Sequence, residues 1–165
     1  MHEITPKWRQ FTQPRYTIIV FMASLGRQPW PAMNSLLYLD LDHNKLGDSI
    51  TGGRLDNLLV LGTLSIRHNN ISSPPWEALG ALRSLQKLFL DGNVMTNLTK
   101  KAFGRLPVVG QLGLSRNKFN NISLNAFEGL IQLVKLDLSH NNLTYVPPGA
   151  FQSMKISRFS TKIRI

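Results

Sequence analysis

The sequence predicts an α/β solenoid, a right-handed superhelix with short parallel strands on its concave side and mostly irregular half-coils on its convex side. Two observations carry this. Five segments share one spelling: "LLYLDLDHNKL", "LGTLSIRHNNI", "LQKLFLDGNVM", "VGQLGLSRNKF" and "LVKLDLSHNNL". Their asparagines, Asn44, Asn69, Asn93, Asn117 and Asn141, follow one another at intervals of 25, 24, 24 and 24 residues. The apolar columns also recur in the second half of each period, so the whole coil repeats. Recurrence at roughly 20–50 residues marks units that bury their apolar faces only by stacking.

Each element follows from the spelling. Leu136 and Leu138 alternate with Lys135, Asp137 and Ser139, the period-two pattern of a short strand with one face inward. One such strand per coil gives a parallel ladder spaced by about 4.8 Å. The asparagine turns the chain. Its amide both donates and accepts, so it can satisfy backbone groups of the bend that no strand partner reaches. Asn44, Asn69, Asn93, Asn117 and Asn141 are therefore expected to form a buried ladder. In the second half-coil Leu98, Ile122 and Val146 share a column, as do Phe103, Phe127 and Phe151, each preceded by alanine. Leu106, Leu130 and Met154 share another, and Pro74, Leu79 and Leu82 fill these columns in the second coil. An aromatic recurring at the repeat period is expected to be core.

The pattern L-x-x-L-x-L-x-x-N-x-L resembles the leucine-rich repeat family over about 35–154. The 24-residue period and the "A-F-x-x-L" half-coil resemble its extracellular class, as in Toll-like receptors, Slit and chaoptin-like adhesion proteins. The resemblance implies a non-enzymatic protein-interaction module in an adhesion or receptor-type protein at the cell surface or outside it. The alternative is an intracellular scaffold or regulatory subunit built on the same array.

Three regions are expected. Residues 29–154 form the array, about five coils after a partial one. Residues 1–28 are a leader, in which the apolar run within 16–26 behind basic residues fits a secretory signal, a truncated one or a disordered segment. Residues 155–165 are a degenerate end. There "RFSTKIRI" still alternates and fits either a closing edge strand guarded by basic residues or the ragged end of an incomplete chain. Any membrane anchor is expected outside this chain, since no apolar run reaches the roughly 18–20 residues of a span.

The formal charge of +10 is unevenly placed. Lys7, Arg9, Arg15 and Arg27 against Glu3 give +3, and Lys155, Arg158, Lys162 and Arg164 add +4, leaving +3 for the rest. A surface that tracks phosphates needs cations clustered on the folded body, so no nucleic-acid partner is expected. Cysteine is absent, which removes disulfides, thiolate metal sites and thiol nucleophiles. There is no phosphate-binding loop, dinucleotide fingerprint, zinc-helix motif or serine elbow, so no catalytic residue and no cofactor are expected. His43, His68 and His140 share a column, but no carboxylate or thiol stands ready to complete a metal site. No metal is expected.

Four sequons, at Asn70, Asn97, Asn121 and Asn142, fall in places read as loops, outside the inward columns. They are candidate glycosylation sites and point outside the cell. The partner is expected to be a protein bound on the outward strand places: Tyr38, Asp40, Asp42, Ser65, Arg67, Lys87, Phe89, Asp91, Gln111, Lys135 and Asp137. Tyr38, Arg67 and Phe89 are of the types that anchor interfaces. Truncating Arg67 and Phe89 together is expected to weaken binding with little effect on the melting temperature.

Overall fold

The computed structural model describes residues 33–152 and residue 154, together with the backbones of two outlying strands, Tyr16–Ile18 and Lys162–Arg164. In chain order the strands are β1 (Tyr16–Ile18), β2 (Tyr38–Asp40), β3 (Thr63–Ser65), β4 (Lys87–Phe89), β5 (Asn97–Leu98), β6 (Gln111–Gly113), β7 (Asn121–Ile122), β8 (Lys135–Asp137) and β9 (Lys162–Arg164). Strands β2, β3, β4, β6 and β8 open the five motif-bearing coils, numbered here one to five. Seven strands form one parallel sheet in the order β1-β2-β3-β4-β6-β8-β9, and β5 pairs with β7 in a second, two-stranded ladder.

The alternating spelling sets the register. Leu39, Leu64, Leu88, Leu112 and Leu136 stand side by side across consecutive strands. All five are buried. A slip of one residue would turn every one of them outward. Each next inward residue, Leu41, Ile66, Leu90, Leu114 and Leu138, is wholly buried. The sheet bonding continues past the short strands: Leu41 N donates to Ser65 O at 2.8 Å and Leu114 N to Asp137 O at 2.8 Å.

The chain then turns at a single column of left-handed residues, His43, His68, Gly92, Arg116 and His140, with φ of 57°, 52°, 69°, 53° and 58°. The following asparagine holds this bend together. Asn93 Nδ2 donates to Leu90 O of its own coil at 2.9 Å and to Ile66 O of the preceding coil at 3.0 Å. Its Oδ1 accepts from Asn69 N at 2.9 Å and Ile71 N at 3.1 Å. Asn69, Asn117 and Asn141 likewise join two coils through both ends of the amide. Asn44 donates within its own coil, to Leu41 O at 2.7 Å and Asp42 O at 3.1 Å.

The convex half is mostly turns, with one short helix, α1 (Trp76–Leu79), and one 3-10 turn at Gly47–Ser49. Phe103, Phe127 and Phe151 stack at 6.1 and 5.4 Å between ring centres. Phe103 and Phe127 are fully buried, while Phe151 at the last coil packs half-buried against the core. Coil one, one residue longer, fills the same interior with Ile50, Leu55 and Leu58.

Strand β1 pairs in parallel with β2, which places Tyr16–Ile18 of the 1–28 segment on the sheet. Strand β9 pairs in parallel with β8 and extends the opposite edge. The signal reading of the remaining residues within 16–26, and the rest of the 155–165 segment, lie outside the described residues.

Candidate functional site

The site is assembled from the third, fifth and seventh places of each motif, which alternation turns away from the core. Arg67 in coil two is its structural centre. Its Nε donates to Asp91 Oδ2 of coil three at 3.1 Å, and its Nη1 reaches Asp42 Oδ2 of coil one at 3.3 Å. Its guanidinium lies 4.1 Å from the ring centre of Phe89, a cation–π contact. Burial alone would lower the Arg67 pKa. The hydrogen bond that Arg67 donates to Asp91 and the charge of Asp42 outweigh that and raise it.

Both aspartates are tied down further. Asp42 Oδ1 accepts from Ser65 Oγ at 2.6 Å and from Arg67 N at 2.7 Å. Asp91 Oδ1 accepts from Ser115 N at 2.9 Å and Ser115 Oγ at 2.8 Å. The network crosses coils one to four, so it stiffens the concave sheet before any partner arrives.

This geometry corrects two expectations. Ser65 has no exposed surface; its hydroxyl is spent on Asp42 beneath Arg67, so it cannot touch a partner. Arg67 is a tie between coils rather than a free anchor, so truncating Arg67 and Phe89 together removes an inter-coil lock as well as surface. The expected indifference of the melting temperature is replaced by a predicted loss.

The other outward residues differ in what they offer. Asp40 Oδ1 accepts from Asp42 N at 2.9 Å, and Asp137 Oδ1 from Ser139 N at 3.0 Å and Ser139 Oγ at 2.6 Å. Burial, then the charges of Asp40 and Asp42, raise the Tyr38 pKa above 10.0, against the opposing pull of Arg67. Lys87 and Lys135 are exposed and make no ion pair with described residues. Phe89, Asp91, Gln111, Lys135 and Asp137 come together around a shallow depression of about 540 Å³, with Arg67 at its rim.

Sequence reasoning did not single out one residue that lines this depression. Gly113 is the last residue of β6, in register between Phe89 and Asp137. With no side chain there, the Asp91 carboxylate leans over it into the space a Cβ would take. The available signal was a glycine where the other four coils carry aspartate, serine, phenylalanine and aspartate.

The histidine column partly stacks: the rings of His43 and His68 lie 4.5 Å apart at 12°. Among the described residues no group of three or more His, Cys, Asp or Glu side chains is placed to hold a metal ion. The sequon asparagines Asn70, Asn97, Asn121 and Asn142 are all exposed. Asn97 and Asn121 are not in loops, however: they lie in register on the convex ladder of β5 and β7.

Comparison with known proteins accords with this stacked array. The chain belongs to the leucine-rich repeat family, whose Leucine rich repeat profile matches residues 60–119 and 109–159. Among solved structures it is similar to the TLR13–ssRNA13 complex, with a TM-score of 0.67 and 24% identity over 75% of this chain and 18% of that one. It is also similar to Toll in the Drosophila Toll–Spatzle complex, with a TM-score of 0.59 and 16% identity over 84% of this chain and 21% of that one. The chain thus spans about a fifth of the length of either receptor, and at these identities the likeness is one of fold. No curated protein sequence matches. Since one neighbour is a complex with RNA, the fold does not exclude a nucleic-acid partner. No helix among the described residues is long and apolar enough to cross a membrane.

Proposed function

We propose that the chain is the recognition portion of a receptor-type protein acting outside the cell, binding a protein partner on its concave sheet without catalysis. The observation that carries this reading is the Asp42–Arg67–Asp91 network, which holds a mixed polar and aromatic face rigid across adjacent coils. An ordered face forfeits little conformational entropy on binding. Partners of the two structural neighbours, an RNA in one and Spatzle in the other, support a recognition role for this kind of array. Exposure of Asn70, Asn97, Asn121 and Asn142 supports the extracellular part of the reading, with these four carrying N-glycans.

The absence of cysteine provides a clean test. A single cysteine at Gln111→Cys or at convex Leu124→Cys takes one benzophenone maleimide. On intact cells, photo-cross-links to a discrete protein are expected from position 111 and not from 124. Cross-links from 124 alone would overturn the concave assignment. Secretory expression followed by amidase deglycosylation is expected to reduce the apparent mass, and an unchanged band contradicts the extracellular assignment.

A further inference from the structure

Coil four is unlike its neighbours. Its segment "VGQLGLS" places Gly110 and Gly113 on either side of Gln111 and Leu112, so only Gln111 rises from the outer surface of β6 until Ser115. Beside the depression at Gly113 lies a second of about 460 Å³, lined by residues that include Val108, Gly110, Val134, Lys87 and Lys135. The two share Gln111 and Lys135. A Cβ at Gly110 would stand in ordinary contact with Gln132 O at 3.7 Å, so the glycine is not required there by crowding. Together they make one trough running along β6 from the flank of the solenoid onto its concave face. An extended chain following β6 would pass from one depression into the other where they meet at Gln111 and Lys135.

Charge is distributed unevenly along this trough. Lys87 and Lys135 are in register on either side of Gln111, two strand spacings or roughly 10 Å apart at the backbone. The described row they belong to, Tyr38, Thr63, Lys87, Gln111 and Lys135, contains no carboxylate. The acids Asp91 and Asp137 lie farther along their strands, at the concave end, and Asp91 is already paired with Arg67. Two flexible ammonium groups bracketing a neutral amide, with an apolar wall of Val108 and Val134 behind, are complementary to a carboxylate on an extended chain.

We propose that this trough docks an extended acidic segment of a protein partner, with Lys87 and Lys135 gripping its carboxylate. The proposal rests on the concave face being the working surface. Observations favour a peptide over a nucleic acid here. A phosphate backbone needs a run of cations, whereas here the two lysines bracket a single neutral amide and Asp137 lies beyond them. The aromatic face that would stack a base is covered by Arg67 on Phe89.

The amides of Gly110 and Gly113 are direct reporters in an NMR titration of the intact chain. Hexaglutamate is expected to shift both saturably, while hexalysine and an oligouridylate of equal length leave them in place. Lys87→Glu with Lys135→Glu is expected to weaken the hexaglutamate response roughly tenfold or more. Lys100→Glu with Arg105→Glu, on the convex half-coil, serves as the control and is expected to leave it intact. Both lysines of the first pair are exposed and unpaired among described residues, so the fold survives their reversal. No shift at Gly110 and Gly113, a response indifferent to the first pair, or an equal response to oligouridylate would each overturn the acidic-segment assignment. Any of these results alongside persistent cross-links from position 111 leaves the concave reading standing. Absence of those cross-links from Gln111→Cys with Lys87 and Lys135 intact removes the reading itself.

Discussion

The Asp91 carboxylate lies over Gly113, filling the space that a side chain on β6 would otherwise occupy. From there it reaches Arg67 on one side and Ser115 on the other. Gly113→Ala therefore forces the carboxylate away and breaks its bonds to both. A loss of about 1–3 kcal/mol is expected, the range for stripping partners from a part-buried polar group. Urea unfolding measures it, and an unchanged midpoint would mean that the network does not hold the coils.

Arg67 is predicted to contribute through two carboxylates at once. Arg67→Ala leaves Asp42 and Asp91 facing each other's charge without a counter-ion, and loses the contact with Phe89. Because these side chains are 15–33% exposed, solvent screens the pairs, and a loss of about 1–2 kcal/mol is expected. Thermal melts at low and high salt separate the parts: the difference between wild type and variant should shrink as salt rises.

The asparagine ladder predicts a gradient. Asn93→Leu removes two donated and two accepted bonds at a buried site. At about 1–3 kcal/mol for each orphaned group, the array should lose cooperative unfolding. Asn141 is less buried and its Oδ1 accepts one bond, from Phe119 N at 3.1 Å, so Asn141→Leu should cost less. Circular dichroism in urea gives the order; equal losses at the two positions would contradict the ladder account.

Alkaline titration tests Tyr38. Its folded pKa is raised above 10.0, first by burial and then by Asp40 and Asp42. The folded state therefore holds the phenolic proton longer than the unfolded chain does. That contribution is complete below pH 10.0 and is lost as the pH climbs through the folded value. Tyr38→Phe should flatten the fall in stability above pH 10.0, as followed by melting temperature against pH.

What the sequence made legible was what repetition controls. The inward leucines, the bend asparagines and the phenylalanine spine each recur at a fixed interval, so one coil's arrangement stands for all. Features that occur once were opaque. Nothing in the spelling of coil two tells that Arg67 turns sideways to Asp42 and Asp91, because that depends on neighbours 24 and 25 residues away meeting across the sheet. Ser65 looks like any outward serine until Asp42 claims its hydroxyl. Gly113 was visible as an exception to its column, but its consequence appears only when Asp91 is seen to fill the gap. Asn97 and Asn121 read as loop residues because two-residue ladders leave no alternating pattern.

The most direct measurement of the central claim, that the concave trough is the working surface, is a blocking experiment on whole cells. Single cysteines at Gln111→Cys and Leu124→Cys are capped with a bulky polyethylene glycol maleimide, and binding of the labelled chain to cells is measured. The account predicts that the bulk at position 111 abolishes binding while the same bulk at position 124 leaves it unaltered. Full binding with position 111 capped would contradict it.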